Sequence, residues 1–312
     1  MLQKDFDELL LSEEKPFFNR ALRGRYPPAS SIKPAIAMYG IEEGLIDWNF
    51  SIFDEGFFTL PEDGRIYRDW KEGGHGNTNL FKAITQSSNT YFFDLAYRSD
   101  INQLNKHLSS LGFGDKACID CFEEDQVFVP EPSWKMNKHN FGWFKGDTVN
   151  MGVGQGYLVS TPIQLAKYAY IMANKGKFSD LSLKKDLVKS EKSIEFNKFS
   201  NDDWFKLHES MVNVIEGNTG TARRLREKKN YIVAAKTGTA ELVSGDNREQ
   251  YSETRLDDSL RDHALIIAFG PMPNPRYAVS VVVENGESGG SVAGPVAILS
   301  LIHISEPTRR DP

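Results

Sequence analysis

The chain has 312 residues, of which 40% are hydrophobic, 12% aromatic and 26% charged, a composition that suits a globular protein with one large core or two lobes and argues against disorder. Its net charge of -6 arises from acidic and basic residues mixed along the whole length, so no basic stripe is available to neutralise a phosphate backbone, and nucleic acid is disfavoured as a partner. The longest apolar stretches, 264–269 and 278–283, fall far short of the roughly 20 residues of a membrane-spanning helix, and the acidic opening MLQKDFDELLLSEEK lacks the basic flank and cleavage site of a signal peptide.

In chain order, Arg25-Tyr-Pro-Pro-Ala leads into a helix over residues 30–44, with apolar positions Ile32, Ile36, Ala37, Tyr39 and Ile41 and a terminal Gly44. Pro34 falls in its first turn, where no intrahelical hydrogen bond is lost. Residues 45–76 read as loops with strand-like pieces near 48–53 and a turn at 73–76. Helices follow over 80–97 and 101–111, and another after Thr161-Pro162 over 164–174. Cys118 and Cys121 form a C-x-x-C without a second Cys or His pair, which predicts a surface turn, closed at most by a local disulfide, and not a zinc or redox site. Beyond residue 230 the segments 231–235, 263–269 and 277–283 are short, apolar and partly β-branched, and the last two flank Pro-Met-Pro-Asn-Pro, so they read as adjacent antiparallel strands. The expected architecture is α plus α/β: a helical lobe over about 30–230, a sheet lobe over about 231–299, and a cleft between them. Residues 300–312, SLIHISEPTRRDP, look like translated adapter read-through and are expected neither to be native nor to continue the helix begun at Gly294-Pro-Val-Ala.

Three short patterns carry chemistry. Ser30-x-x-Lys33 sets a hydroxyl and an amine on one helix face, where the amine can take the hydroxyl proton. The same spacing recurs at Ser12/Lys15 and Ser182/Lys185 in exposed-looking sequence, and what separates Ser30 is its place at a helix start, with a backbone N–H free to meet an oxyanion. Ser87-x-Asn89, alone, is a polar kink or cap; beside a Ser/Lys pair its hydroxyl can relay protons and its amide can hold a peptide. Lys236-Thr237-Gly238-Thr239 follows the strand over 231–235, with the make-up of a carboxylate receptor and a Gly that permits close backbone approach. Thr219-Gly220-Thr221 lacks the Lys and reads as a structural turn. The three patterns in this order are the known set of penicillin-binding proteins and class A β-lactamases.

From about residue 18 to 297 the chain resembles class B penicillin-binding proteins of the elongation type. The resemblance rests on Tyr26-Pro-Pro-Ala-Ser-Ser-Ile-Lys-Pro, Tyr67-Arg-Asp-Trp-Lys, Gly74-His-Gly, Gly146-Asp-Thr-Val-Asn-Met-Gly-Val-Gly-Gln-Gly-Tyr, Thr161-Pro-Ile-Gln, Lys236-Thr-Gly-Thr-Ala, Arg261-Asp-His and Glu284-Asn-Gly. It implies the penicillin-binding transpeptidase (serine β-lactamase-like) fold. It also implies a peptidoglycan D,D-transpeptidase in which Ser30 attacks a D-alanyl carbonyl, Lys33 is the base, Ser87 relays a proton and Asn89 orients the peptide. Lys236, Thr237, Gly238 and Thr239 then bind the terminal carboxylate, with the N–H groups of Ser30 and Thr239 as oxyanion hole. Implied partners are peptidoglycan stem peptides, β-lactam antibiotics and a membrane glycosyltransferase, and the implied location is the bacterial inner membrane with this domain in the periplasm.

Some such relatives bind zinc through two Asp, a His and a Cys, at positions matched here by Asp54, Asp69, His75 and Ser88. Serine is a poor zinc ligand, so no cofactor is expected to be required, and the preferred reading is a hydrogen-bonded cluster bracing the active-site loop; the alternative is zinc on three ligands plus water. Relatives also carry an anchor, a pedestal and a first sheet strand ahead of the region matching residue 1, so the chain reads as a fragment. Three rival activities share the same serine. A class A β-lactamase is disfavoured because no Glu with Asn four residues on occurs in 121–140, a β-lactam sensor usually lacks Gly154-Gln155-Gly156 and Arg68-Asp69-Trp70, and a D,D-carboxypeptidase differs only in using water as acceptor.

Overall fold

The computed structural model describes residues 3–12, 14–185, 187, 190–228, 231–242 and 260–305. Its helices are α1 (Gln3–Leu11), α2 (Arg20–Arg23), α3 (Lys33–Glu42), α4 (Leu80–Gln86), α5 (Asn89–Arg98), α6 (Ile101–Ser110), α7 (Pro132–His139), α8 (Lys145–Met151), α9 (Pro162–Ala173), α10 (Asn201–Glu216) and α11 (Gly294–Ser305). The strands are β1 (Ser51–Asp54), β2 (Phe57–Thr59), β3 (Ile66–Arg68), β4 (Gly76–Asn79), β5 (Lys177–Phe178), β6 (Lys192–Ser193), β7 (Ala234–Ala240), β8 (His263–Gly270) and β9 (Tyr277–Val283). Among the described residues, no helix is long and apolar enough to cross a membrane.

The principal sheet is antiparallel in the order β7-β8-β9. Its middle strand explains how two lobes share one sheet. Leu265, Ile267 and Phe269 point to one face and join the core of the helical lobe, while Ala264, Ile266 and Ala268 point to the other, against Ala293, Ala297 and Leu301 of the C-terminal segment. That is the two-residue side-chain period of a strand buried on both faces. Burying each of the larger side chains stabilises by about 1.5–3 kcal/mol.

Several expectations need correction. The helix expected over 80–97 breaks at Ser87, which adopts φ 60°, caps α4 through its N–H and hands over to Ser88, whose hydroxyl accepts from Tyr91 N to start α5. Serines bond their own backbone readily, and here they end one helix and open the next. The strand expected over 231–235 is shifted, so that Lys236, Thr237, Gly238 and Thr239 lie inside β7 and do not follow it. The helix begun at Gly294 runs on to Ser305 because Leu301 is buried against the sheet and continues its apolar stripe. Cys118 and Cys121 form the local disulfide, but both are buried beneath a bridge from Cys118 to Leu181 and are not a surface turn.

Candidate active site

Ser30 lies in a single 3₁₀ turn, Ala29–Ile32, immediately ahead of α3. Ala29 takes φ 49°, a left-handed conformation rare outside glycine, and its N–H is pinned to the carbonyl of Gly154 at 2.8 Å. This ties the turn to the Gly152–Gly156 loop and leaves the Ser30 N–H without an acceptor among the described residues. The Ser30 hydroxyl, half-buried, is likewise unpaired there.

Lys33 is fully buried, and its amine meets four acceptors: Ser87 O at 2.8 Å, Ser88 O at 3.1 Å, Ser87 Oγ at 3.3 Å and Asn89 Oδ1 at 2.6 Å. Lys236, also fully buried, donates to Ser87 Oγ at 2.8 Å and to Thr237 O at 3.2 Å. One hydroxyl therefore bridges two amines from opposite walls. Burial pulls Lys33 down to about 7, against the upward pull of the Asp69 and Asp54 carboxylates. Lys236 lies well below its ordinary value because it is buried and because the Lys33 charge is close. Two ammonium groups sharing one hydroxyl repel each other, so the pair holds fewer than two protons near neutrality.

The opposite wall is the outer edge of β7, which among the described residues pairs with β8 alone. Gln155 Nε2 donates to Thr239 O at 3.1 Å and Lys236 Nζ to Thr237 O, so the backbone groups of Thr237 and Thr239 face away from β8. In an antiparallel strand a residue's N–H and C=O point the same way, which aims the Thr239 N–H into the cleft beside Ser30. Gly238 permits that approach: a Cβ there would sit 3.2 Å from Pro28 O and 3.3 Å from Ser31 N.

The S-x-N turn is itself held from beneath. The Asp69 carboxylate accepts from the backbone N–H groups of Asn89, Thr90 and Lys71, from Thr90 Oγ1, and from His75 Nε2 at 3.2 Å. Burial pushes Asp69 up, but the His75 hydrogen bond, the Lys33 charge and the backbone donors outweigh it and hold the carboxyl at about 2. Asp54 accepts from Ser88 Oγ at 2.6 Å and Gly56 N at 2.8 Å, and Gly74, at φ 70°, passes so close to Asp54 O that no Cβ fits.

Asp54, Asp69 and His75 offer ligand atoms within 4.8 Å of one another, so the geometry admits a cation on three protein ligands. Ser88 is already committed to Asp54 and to capping Tyr91, which leaves water as the fourth donor. All eight residues expected at the catalytic and carboxylate positions, and all four of the polar cluster, thus gather around one cleft. The sequence reading missed three contacts. Trp70 Nε1 donates to Ser87 O at 3.1 Å with its ring largely exposed. Gln155 reaches Thr239, as above. Thr221 Oγ1 meets Thr237 Oγ1 at 2.7 Å, so the 219–221 segment is a turn, as expected, but one that touches the site. The Thr-Gly-Thr near-copy was the available signal.

Residues 2–299 match the family model for the penicillin-binding protein transpeptidase domain. The chain belongs to that family. Relatives include the peptidoglycan D,D-transpeptidase MrdA of Acinetobacter baumannii, 39% identical over 299 residues, or 93% of this chain and 44% of that protein. Among solved structures, Pseudomonas aeruginosa PBP2 in complex with WCK 5153 superposes with a TM-score of 0.87 at 35% identity, covering 99% of this chain and 68% of that one. A complex between Helicobacter pylori PBP2 and MreC gives 0.85 at 29%, covering 98% and 55%. The chain therefore spans about half the length of the curated relatives it matches.

Proposed function

We propose that this domain is a serine D,D-transpeptidase that cross-links peptidoglycan stem peptides in cell elongation, and that β-lactams trap the same serine. The observation that carries the reading is the Ser87 hydroxyl held between the Lys33 and Lys236 amines, next to a Ser30 turn whose hydroxyl and N–H have no partner among the described residues. Lys33, near 7, has a substantial neutral fraction at physiological pH and accepts the Ser30 proton as Oγ forms its bond to the D-alanyl carbonyl. The oxyanion falls to the N–H groups of Ser30 and Thr239. Asn89, whose Oδ1 is engaged by Lys33, keeps its amide N–H₂ for the donor peptide.

A substrate carboxylate on Thr237, Thr239 and Lys236 favours the ammonium form of Lys236. Through the shared hydroxyl this favours the neutral form of Lys33, so that binding prepares the base. Ser87 then passes a proton toward the departing amine. Asp54, Asp69, His75 and Ser88 act as a hydrogen-bonded brace; a zinc ion held by the first three and a water would serve the same bracing role. By kinship with the elongation-type relatives, the parent protein works at the inner membrane beside a membrane glycosyltransferase, with this domain in the periplasm, and the MreC complex of its Helicobacter pylori neighbour marks a second class of partner.

The test is intact-protein mass spectrometry after incubation with a fluorescent penicillin, on the wild-type chain and on Ser30→Ala. A long-lived adduct on the wild type alone is expected. No adduct on a folded wild-type sample, or an adduct on both, overturns the assignment, and rapid loss of the adduct favours a β-lactamase.

A further inference from the structure

Past the carboxylate end of β7 lies a cationic recess that the chemistry described so far leaves unused. The turn that follows α10 brings Thr221 onto Thr237 and Thr219 Oγ1 to within 2.9 Å of Gln86 Nε2, so residues 218–221 form the cleft rim next to the carboxylate receptor. A 3₁₀ segment, Arg223–Lys228, follows directly. Its Ala222 and Leu225 neighbours are buried, and Leu225 packs so tightly on Gly294 that a Cβ there would meet it at 2.6 Å, which seats the segment on α11.

Three guanidinium groups stand on this seat. Arg223 donates to the rim carbonyl of Gly220 at 3.4 Å, and Arg226 donates to Asn218 Oδ1 at 3.3 Å. Together with Arg224, Asn218 and Glu227 they line a cavity of about 370 Å³. Glu216 Oε2 lies 4.0 Å from Arg226 Nε. Arg223 and Arg224 pair with no carboxylate among the described residues, so one lining acid faces two exposed and uncompensated arginines.

We propose that this recess is a subsite for a carboxylate of the acyl acceptor, which would make the acceptor an amine whose remote end is anionic. The inference rests on the transpeptidase reading. In acylation the departing D-alanine leaves from the Lys236 and Thr237 side, where its carboxylate is held. The acceptor amine must enter along the same path, since aminolysis of the ester is the chemical reverse of acylation. Its nitrogen forms the new amide bond as the Ser30 Oγ–carbonyl bond breaks, and the proton it loses returns to Ser30 Oγ through Lys33. The acceptor's body then extends past Thr237 and Thr221, toward Arg223 and Arg224, which follow Thr221 directly in the chain and line the recess. Guanidinium groups suit a carboxylate there through paired N–H donors.

The test gives the chain a small D-alanyl thioester as donor and two acceptors: a D-amino acid whose long side chain ends in a carboxylate, and the same compound with that carboxylate amidated. The wild type should use the dicarboxylate with an acceptor KM lower by about tenfold, the size of one charge-assisted hydrogen bond, and with similar kcat. The double variant R223A/R224A should lose the preference and keep its rate of labelling by fluorescent penicillin, whereas R223K/R224K should retain part of the preference. Equal use of both acceptors by the wild type, use of neither by a chain that penicillin labels, or an undiminished preference in R223A/R224A overturns the subsite. A wild-type chain that penicillin does not label overturns the underlying reading instead.

Discussion

The two walls of the cleft are built on opposite plans. On the Ser87–Asn89 side nearly every polar atom is already engaged: Asp69 accepts five hydrogen bonds, Asp54 anchors Ser88, and Lys33 meets four acceptors. On the β7 side the backbone of Thr237 and Thr239 faces the cleft from an unpaired edge. One wall is fixed before any ligand arrives, and the other, whose Thr237 and Thr239 carbonyls are engaged by Lys236 and Gln155, keeps its outward N–H groups for the ligand. Preorganisation of the base and vacancy of the receptor are thus assigned to different secondary structures: a helix break that can be braced from below, and a strand edge that cannot pair with itself.

The sharpest break of this contrast is Lys33→Met, which removes the proposed base from the fixed wall. Penicillin acylation should slow roughly 10²–10⁴-fold while circular dichroism reports an intact fold. Asp69→Ala should act on stability instead, because it strands the Asn89 and Thr90 N–H groups in a buried site. A loss of about 3–5 kcal/mol in denaturant unfolding is expected, and acylation should slow with it; chelating agents should leave acylation of the wild type unchanged if hydrogen bonds alone form the brace.

The pH dependence separates the same two residues. Acylation should rise as pH increases through about 7, where Lys33 becomes neutral in the free protein. Because the folded value lies below the ordinary 10.5, the unfolded chain binds more protons between about 7 and 10.5, and Lys33 makes stability increase with pH across that window. Asp69 gives the same sign in a lower window: depressed from 3.8 to about 2, it contributes stability above 3.8 that is lost as pH falls through about 2. On the open wall, Gly238→Ala should push β7 off the Ser30 turn and slow acylation by about tenfold, or ~1.4 kcal/mol of barrier, with little change in melting temperature. Replacing both Cys118 and Cys121 by Ser should matter least, since the disulfide closes a loop of only four residues and contributes at most about 2 kcal/mol.

What the sequence determined by itself was which polar groups lie together and their order along the chain. Ser30/Lys33, Ser87/Asn89 and Lys236–Thr239 were legible as candidates because each set spans four residues or fewer, where spacing alone fixes which side chains lie together. The antiparallel pairing of 263–269 with 277–283 was legible for a similar reason, from β-branched runs joined by a proline-rich turn. What only the tertiary structure decided was everything carried by hydrogen bonds between distant segments. The break at Ser87 looks like continuous helix until Asp54, Asp69 and Trp70 claim its polar groups, and Thr221 looks like a spare turn until α10 delivers it to Thr237. The shift of both lysines from ordinary values likewise needs burial and mutual proximity across more than two hundred residues of chain, a distance over which local patterning carries no information.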